Sequence, residues 1–420
     1  MSSPRMLDID LGEDLCDRLR DLAERYPKGL GPVKEFLQNA DDAGATYLRV
    51  VYDRRQHPGK LPDSEMNVAL GPALLFINDR PFTGDDIQRI HRISDSGKVT
   101  DAGRTGRFGQ GFNTSYSVSD HPSLVTDDRI IWFDPHRRIQ DKGRNSYPWA
   151  LSDVAVTWPA WLATFSLAQV ESDVHPFDGA AFRLPLRSPE EAARSRIRNG
   201  EPFLPEHFDA IVEEVQRAGP ALLIFLRSVL TLELLEIDPS GHPLPRVLIT
   251  TENAEEVEAA RAELRAKVRG EPADLVESWL RSSEPLPAAQ YKHTFLIACN
   301  KDPFVEHSWE VVTGVFRGPD NLLLKHALAL SSRPGRREKA IPWAGAAAPV
   351  ASQEPKGRLS CFLPLPDSTM YPVWLHGWFA VDSARRGLAR INEVDELIQQ
   401  RVQWNVMLMR HAVGPAWAQL

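Results

Sequence analysis

Cysteine is scarce in this chain: three residues in 420, Cys16, Cys299 and Cys361, widely spaced and with no C-x-x-C pair. That excludes a disulfide framework, a redox dithiol motif and a cysteine zinc site, and it fits a reducing compartment. Positive charge is not in excess either. Lys and Arg number 49 against 57 Asp and Glu, a formal net charge of −8, so no global basic field gathers nucleic acid or anionic membrane. Apolar runs such as 221–226 fall far short of the ~20 residues that span a bilayer. The opening stretch MSSPRMLDIDLGEDLCD carries acids where a secretory leader carries Lys or Arg, and it lacks an apolar core; the expectation is a cytoplasmic protein. G-x-x-x-x-G-K-[ST], H-E-x-x-H and G-x-S-x-G are also absent, which removes P-loop nucleotide hydrolases, zincins and nucleophile-elbow hydrolases.

What is present is ordinary globular material, 42% hydrophobic and 25% charged, with room in 420 residues for two or three domains. Leu11, Leu15, Leu19, Leu22 and Tyr26 form one stripe of an amphipathic helix ending at Pro27. A second helix is predicted from about Val33 to Ala43, stopped by Gly44. Strands are predicted at 47–53, 74–79, 129–133 and 182–186. Together these predict an α/β domain over 1–190, bounded by the charged stretch 188–200. Residues 191–420 read as a second α/β region. It has a helix at 206–218, strands near 221–237, a charged helix at 254–269 and a mobile loop or hinge at 329–357. Strands at 359–365 and 373–381 and a closing helix from about Glu393 follow, with no internal repeat.

The second helix carries the most chemistry. At about 100° per residue, Glu35, Asn39 and Asp42 share one face, opposite Val33, Phe36, Leu37, Ala40 and Ala43. Such a face is either a solvated polar surface or a site in which an amide oxygen holds a hard cation and a carboxylate takes a proton from water. Asp79 ends an apolar strand, where a carboxylate makes a turn or accepts the exocyclic amine of a purine. Gly106, Gly109 and Gly111 then precede a helix start at 113–115, an arrangement suited to presenting backbone N–H groups to phosphate. Its order, G-x-x-G-x-G, is not the dinucleotide fingerprint. Between these elements, 83–104 reads as a mobile lid or a plain surface loop, with Lys98, Arg104 and Arg107 as cations for a polyphosphate.

Taken together, Glu35-x-x-x-Asn39-x-x-Asp42, Asp79 and Gly106-x-Phe108-Gly109-x-Gly111-Phe112 resemble the ordered boxes of GHKL ATPases. That group holds gyrase, MutL, histidine kinases and the ninety-kilodalton heat-shock chaperone. The segments 25–29, 35–46, 71–75, 106–113 and 133–136 resemble the chaperone-like N-terminal unit of the sacsin repeat. The segments 182–187, 357–366, 376–386, Trp404 with Asn405, and 414–418 are similar to the later part of that repeat.

The resemblance implies a Bergerat-type α/β (α+β) sandwich over 1–190, followed by a middle-like region over 191–420, and a longer multidomain protein. It implies Glu35 as general base, Asn39 as ligand of Mg²⁺ on the phosphates of ATP, Asp42 near the nucleoside and Asp79 on the adenine amine. Lys98, Gly106, Arg107, Phe108, Gly109, Gln110 and Gly111 would surround the phosphates, with Phe112 beside the base. Arg385 or Arg386 would reach the γ-phosphate, or else form an ordinary ion pair. Two departures stand out: Asp79-Arg-Pro-Phe-Thr83 replaces the family's D-x-G-x-G, and Ala180 stands where a threonine is common. The expected function is a Mg-ATP-driven, chaperone-like ATPase with protein clients or further domains as partners and nucleotide-dependent pairing of two chains. A nucleotide-gated sensor or scaffold in defence or quality control, with little hydrolysis, is the alternative. DNA processing shares the boxes, but the acidic balance counts against it.

Overall fold

The computed structural model describes residues 14–25, 29–82, 112–139, 144–170, 176–331, 340–351, 357–381, 387–389 and 396–420. Strands β1 (Tyr47–Asp53) and β2 (Ala73–Asn78) form where apolar, β-branched runs predict them. Leu48, Val50 and Tyr52 of β1 share a core with Leu74 and Phe76 of β2, whereas Val51, Ala73, Leu75 and Ile77 feed the core on the opposite face. A strand covered on both sides has no polar face to show, so these segments read as continuous apolar runs rather than alternating ones.

Twelve more strands complete one sheet. They are β3 (Ser123–Asp127), β4 (Arg129–Phe133), β5 (Ser146–Ala150), β6 (Phe177–Pro185), β7 (Thr231–Ile237) and β8 (Pro243–Thr251). Then come β9 (Ala288–Cys299), β10 (Val305–Val315), β11 (Trp343–Pro349), β12 (Gly357–Cys361), β13 (Leu363–Thr369) and β14 (Trp374–Gly377). The order is β13-β12-β14-β11-β10-β9-β8-β7-β1-β2-β6-β3-β4-β5. The pairs β1–β7 and β12–β14 are parallel and the others antiparallel, so the protein is a mixed α/β structure built on one large mixed sheet. Its edge strands carry prolines, Pro364 and Pro366 on β13 and Pro148 on β5, which lack the N–H that would recruit another strand.

Helices α1 (Leu15–Arg25) and α2 (Gly31–Ala43) cover one face, together with the helix Pro205–Ala218. The buried stripe of α1 is Cys16, Leu19 and Ala23, with Leu15 and Leu22 half-buried; Leu11 and Tyr26 lie outside the described residues. The 190/191 division expected from the sequence falls inside the helix Pro189–Arg194. The sheet continues across it through β1 and β7, with Leu48 opposite Leu232 and Val50 opposite Leu234.

Three local expectations fail for identifiable reasons. The run 221–226 is a short 3-10 turn and an irregular segment rather than a strand. Its backbone groups and those that follow are taken by side chains: Arg261 donates to the carbonyls of Leu223, Ile224 and Val229, and Asp41 accepts the N–H groups of residues 227–229. Within 329–357, read as a hinge, residues 343–349 form a strand wedged between β10 and β14. Its Ala and Gly composition is what close packing demands, since a Cβ on Gly345 would sit 2.8 Å from the Val312 carbonyl. The single strand expected at 359–365 breaks at Phe362, which adopts φ 62 and splits it into β12 and β13.

Candidate functional site

Helix α2 begins with Pro32 in its first turn and ends at Gly44, whose φ of 80 lets its N–H close back onto the Asp41 carbonyl at 3.1 Å. The apolar side packs as predicted: Val33, Phe36, Leu37 and Ala40 are at most 3% exposed. The Phe36 ring stacks on Phe76 at 4.0 Å and touches Phe182 at 5.0 Å. The polar side is not solvated. Glu35 is 8% and Asn39 9% exposed, a degree of burial that an ordinary wet helix face does not have.

Phe182 on β6 is the point at which the expected site elements meet. Phe36 brings α2, Phe82 brings the chain just past Asp79 at 5.3 Å, and Phe112 brings the turn after the glycine segment at 5.9 Å. Phe112 is 3% exposed and packs on Phe133 and Tyr116 as well, so it anchors the turn in the core.

Asp79 lies at the end of β2, where Oδ1 accepts the Thr46 N–H at 2.8 Å and Oδ2 its hydroxyl at 2.5 Å. Across the sheet, Ala180 pairs with Thr126. The Thr126 hydroxyl accepts from the Phe82 N–H and donates to the Gly179 carbonyl, which fixes the chain leaving β2.

Asp42 does not stand alone. Its Oδ1 pairs with the Arg227 guanidinium, which also lies 3.4 Å from Asp41 Oδ2. Burial opposes the charge on Arg227, but Asp42 and Asp41 outweigh it and hold the guanidinium's pKa above its ordinary value. Asp41 Oδ1 accepts the N–H groups of Arg227, Ser228 and Val229 at 2.8, 2.7 and 3.2 Å. Neither Asp41 nor Arg227 was singled out from the sequence; Asp41 faces away from the Glu35 side of α2, and Arg227 lies 186 residues further on.

Lys98, Gly106, Arg107, Phe108, Gly109, Gln110, Gly111, Arg385 and Arg386 lie outside the described residues. Among the described residues no cluster of three His, Cys, Asp or Glu is arranged to hold a metal ion, and no helix is long and apolar enough to cross a membrane. A cavity of about 270 Å³ lies away from this site, at the end of the helix Pro205–Ala218, and is lined by Gln216, Cys299, Asp302 and His307 among others.

Two buried ionic networks support the scaffold. Arg183, fully buried, donates to Asp53 at 3.2 Å and to the carbonyls of Ala69, Thr164 and Gly71. Burial pulls its pKa down to about 10 against the favourable Asp53 charge. Burial would raise the Asp53 carboxyl, but hydrogen bonds from His57 and Arg55 and the charge of Arg183 hold it well below the usual range. The second network joins Arg187 to Asp120 at 2.8 Å and to the Tyr116 carbonyl at 2.7 Å, with His136 and His121 beside it. Burial lowers the pKa of His121 to about 3 and of His136 to about 4. The segment 182–187 is thus conspicuous for two arginines that pin loops under the sheet.

The profile of the family described as Sacsin domain matches residues 12–248, more than half of the chain, and the chain belongs to that family. Over 427 aligned residues it is 29% identical to human Sacsin, covering 97% of this chain and 9% of that protein's length. The fold comparison is weaker: a solved structure described as the N terminal domain of a DNA repair protein overlaps 93% of this chain and 98% of its own. Its TM-score is 0.34 at 9% identity, too low to carry an argument.

Proposed function

We propose that this sacsin-family unit is a Mg-ATP-binding ATPase module of the GHKL type, with a Bergerat-type sandwich over 1–190 and a middle-like region over 191–420. One observation carries the reading: Glu35 and Asn39 are buried side by side on α2, and α2, the end of β2 and the turn at Phe112 all pack on Phe182. A carboxylate and an amide both withdrawn from water on one helix face suit a built site better than a solvated helix surface.

In this reading Asp79, oriented by Thr46, accepts the adenine amine, and Asp42 lies near the nucleoside. Asn39 offers an amide oxygen, which suits Mg²⁺ because that ion takes few protein ligands alongside phosphate oxygens and water. When bound, the ion neutralises phosphate charge. Glu35 accepts the proton of the attacking water as the new P–O bond forms and the bond to the ADP oxygen breaks; positioning and charge stabilisation supply most of the rate. The glycine segment 106–111 and Lys98 would cradle the phosphates, and Arg385 or Arg386 would approach from the second region.

Titration calorimetry with MgATP and a phosphate-release assay test this. One binding site is expected, lost in Asp79→Asn, with phosphate release lost but binding kept in Glu35→Ala; a chain that binds no ATP refutes the reading. The alternative, a nucleotide-gated sensor or scaffold, is favoured by Ala180 and by the engagement of both Asp79 oxygens with Thr46. Tight binding without phosphate release would select it. Protein clients, further domains of a longer chain and nucleotide-dependent pairing of two copies are proposals of the same reading.

A further inference from the structure

Helix α2 is held to the second region near both of its ends. At its start the Leu30 N–H donates to Glu214 at 3.2 Å, and one turn on Lys34 donates to the Pro364 carbonyl of β13 at 2.7 Å. At its end Asp41 takes three consecutive N–H groups of residues 227–229, and Arg227 bridges Asp41 and Asp42. No basic residue occupies the last turn of α2; Arg227 at Asp41 and Asp42, together with Arg80 at the Gly44 carbonyl, brings positive charge to its negative end.

The contacts continue beyond Arg227. Its guanidinium lies 5.1 Å above the Phe362 ring, and Arg265, from the helix Ala254–Lys267, donates to its carbonyl. Phe362 holds φ 62, a conformation that bulky residues adopt only where their surroundings enforce it. Its N–H lies 3.2 Å from Nδ1 of the fully buried His376, and the two rings are 4.9 Å apart. His376 in turn stacks on Phe225, two residues before Arg227. A closed ring of contacts therefore links the end of α2 to the segment 225–229 and to β12, β13 and β14.

We propose that Arg227 is a positioning residue of the nucleotide site: it sets the Asp42 carboxylate and couples occupancy of the site to the strands β12–β14. The inference rests on the ATP-binding reading and adds to it the route by which the second region senses the nucleotide. Asp42 shares one helix face with Glu35 and Asn39, so a ligand on that face and Arg227 would act on the same carboxylate. The Arg227 fork suits two adjacent carboxylates; a lysine supplies the charge without the fork.

A double-mutant cycle on MgATP affinity, read by calorimetry, tests the proposal. Arg227→Met, which keeps an apolar stem over Phe362, is expected to weaken binding about tenfold; in an Asp42→Asn background the same change is expected to cost less than about twofold. Arg227→Lys, the milder replacement should Arg227→Met fail to fold, is expected to recover part of the loss. Hydrogen exchange adds a second readout: ATP should slow exchange over 357–377 in the unaltered chain and not in Arg227→Met. Unchanged affinity in Arg227→Met, or losses that simply add with Asp42→Asn, overturn the coupling while leaving the ATP site standing. Absence of ATP binding by the unaltered chain overturns the ATP-binding reading and the coupling with it.

Discussion

Asp41 and Asp42 are neighbours in sequence with different tasks. Asp41, 3% exposed, satisfies three backbone N–H groups, whereas Asp42 meets Arg227 from the polar face that also carries Glu35 and Asn39. The buried histidines make a pH prediction. His121, His136 and His376 have folded values of about 3, about 4 and about 3, pulled down chiefly by burial. The unfolded chain, with His near 6.5, therefore binds more protons at mildly acidic pH, and stability is full above about 6.5 and lost as pH falls toward 4. Each histidine contributes a slope of up to about 1.4 kcal/mol per pH unit in that window. Urea denaturation at pH 7, 6 and 5 should show the decline and His121→Gln should make it shallower; a pH-independent midpoint would contradict it. Arg183 and Asp53 make a second prediction. Asp53→Asn leaves a buried guanidinium without its counter-charge and should cost about 3 kcal/mol in the same assay.

At the scale of elements, the irregular segment 223–229 is the least expected feature. The N–H groups of residues 227–229 belong to Asp41, and the carbonyls of Leu223, Ile224, Arg227 and Val229 accept from Arg261 and Arg265, so two helices do for much of it what a neighbouring strand does elsewhere. Arg261→Met should take their side-chain donor from the carbonyls of Ile224 and Val229, leave that of Leu223 with only the Leu226 N–H, and cost about 2 kcal/mol; an unchanged denaturation midpoint would show that water replaces the guanidinium. Elements with a strong period or a strong stop were readable beforehand: α2 with Gly44, and β1 and β4, whose ends match the predicted bounds. Strands β9 and β10 were not. Their outer halves run half in solvent, with Gln290, Lys292, Glu306 and His307 breaking the apolar pattern, and pairing to each other, to β8 and to β11 makes them strands. The polar face of α2 was readable as chemistry because Glu35, Asn39 and Asp42 share a period, while Arg227 was invisible because nothing local marks a partner brought in by the fold.

For the whole molecule, one sheet and one principal core cross the 190/191 division. β1 lies between β2 and β7, and Leu48 and Val50 share a core with Leu232 and Leu234. A fragment ending at residue 190 exposes the β7 edge of β1 and strips Asp41 of its N–H partners, so it should show no cooperative thermal transition where the full chain does. A sharp transition in the fragment would mean that the first region folds alone. Membership of the Sacsin domain family, over a chain that spans 9% of human Sacsin, makes this unit a small part of such a relative's length. We propose that α2, the end of β2 and the segment before Phe112 enclose a metal-bound triphosphate. A crystal or cryo-EM map of the full chain with a non-hydrolysable ATP analogue and magnesium tests it most directly. Adenine is expected against Asp79, phosphates beside Glu35 and Asn39, and Asp42 still paired with Arg227. Nucleotide bound only elsewhere, for instance in the cavity beside Gln216 and Cys299, or a crevice above Glu35 filled by the protein's own side chains, would contradict it.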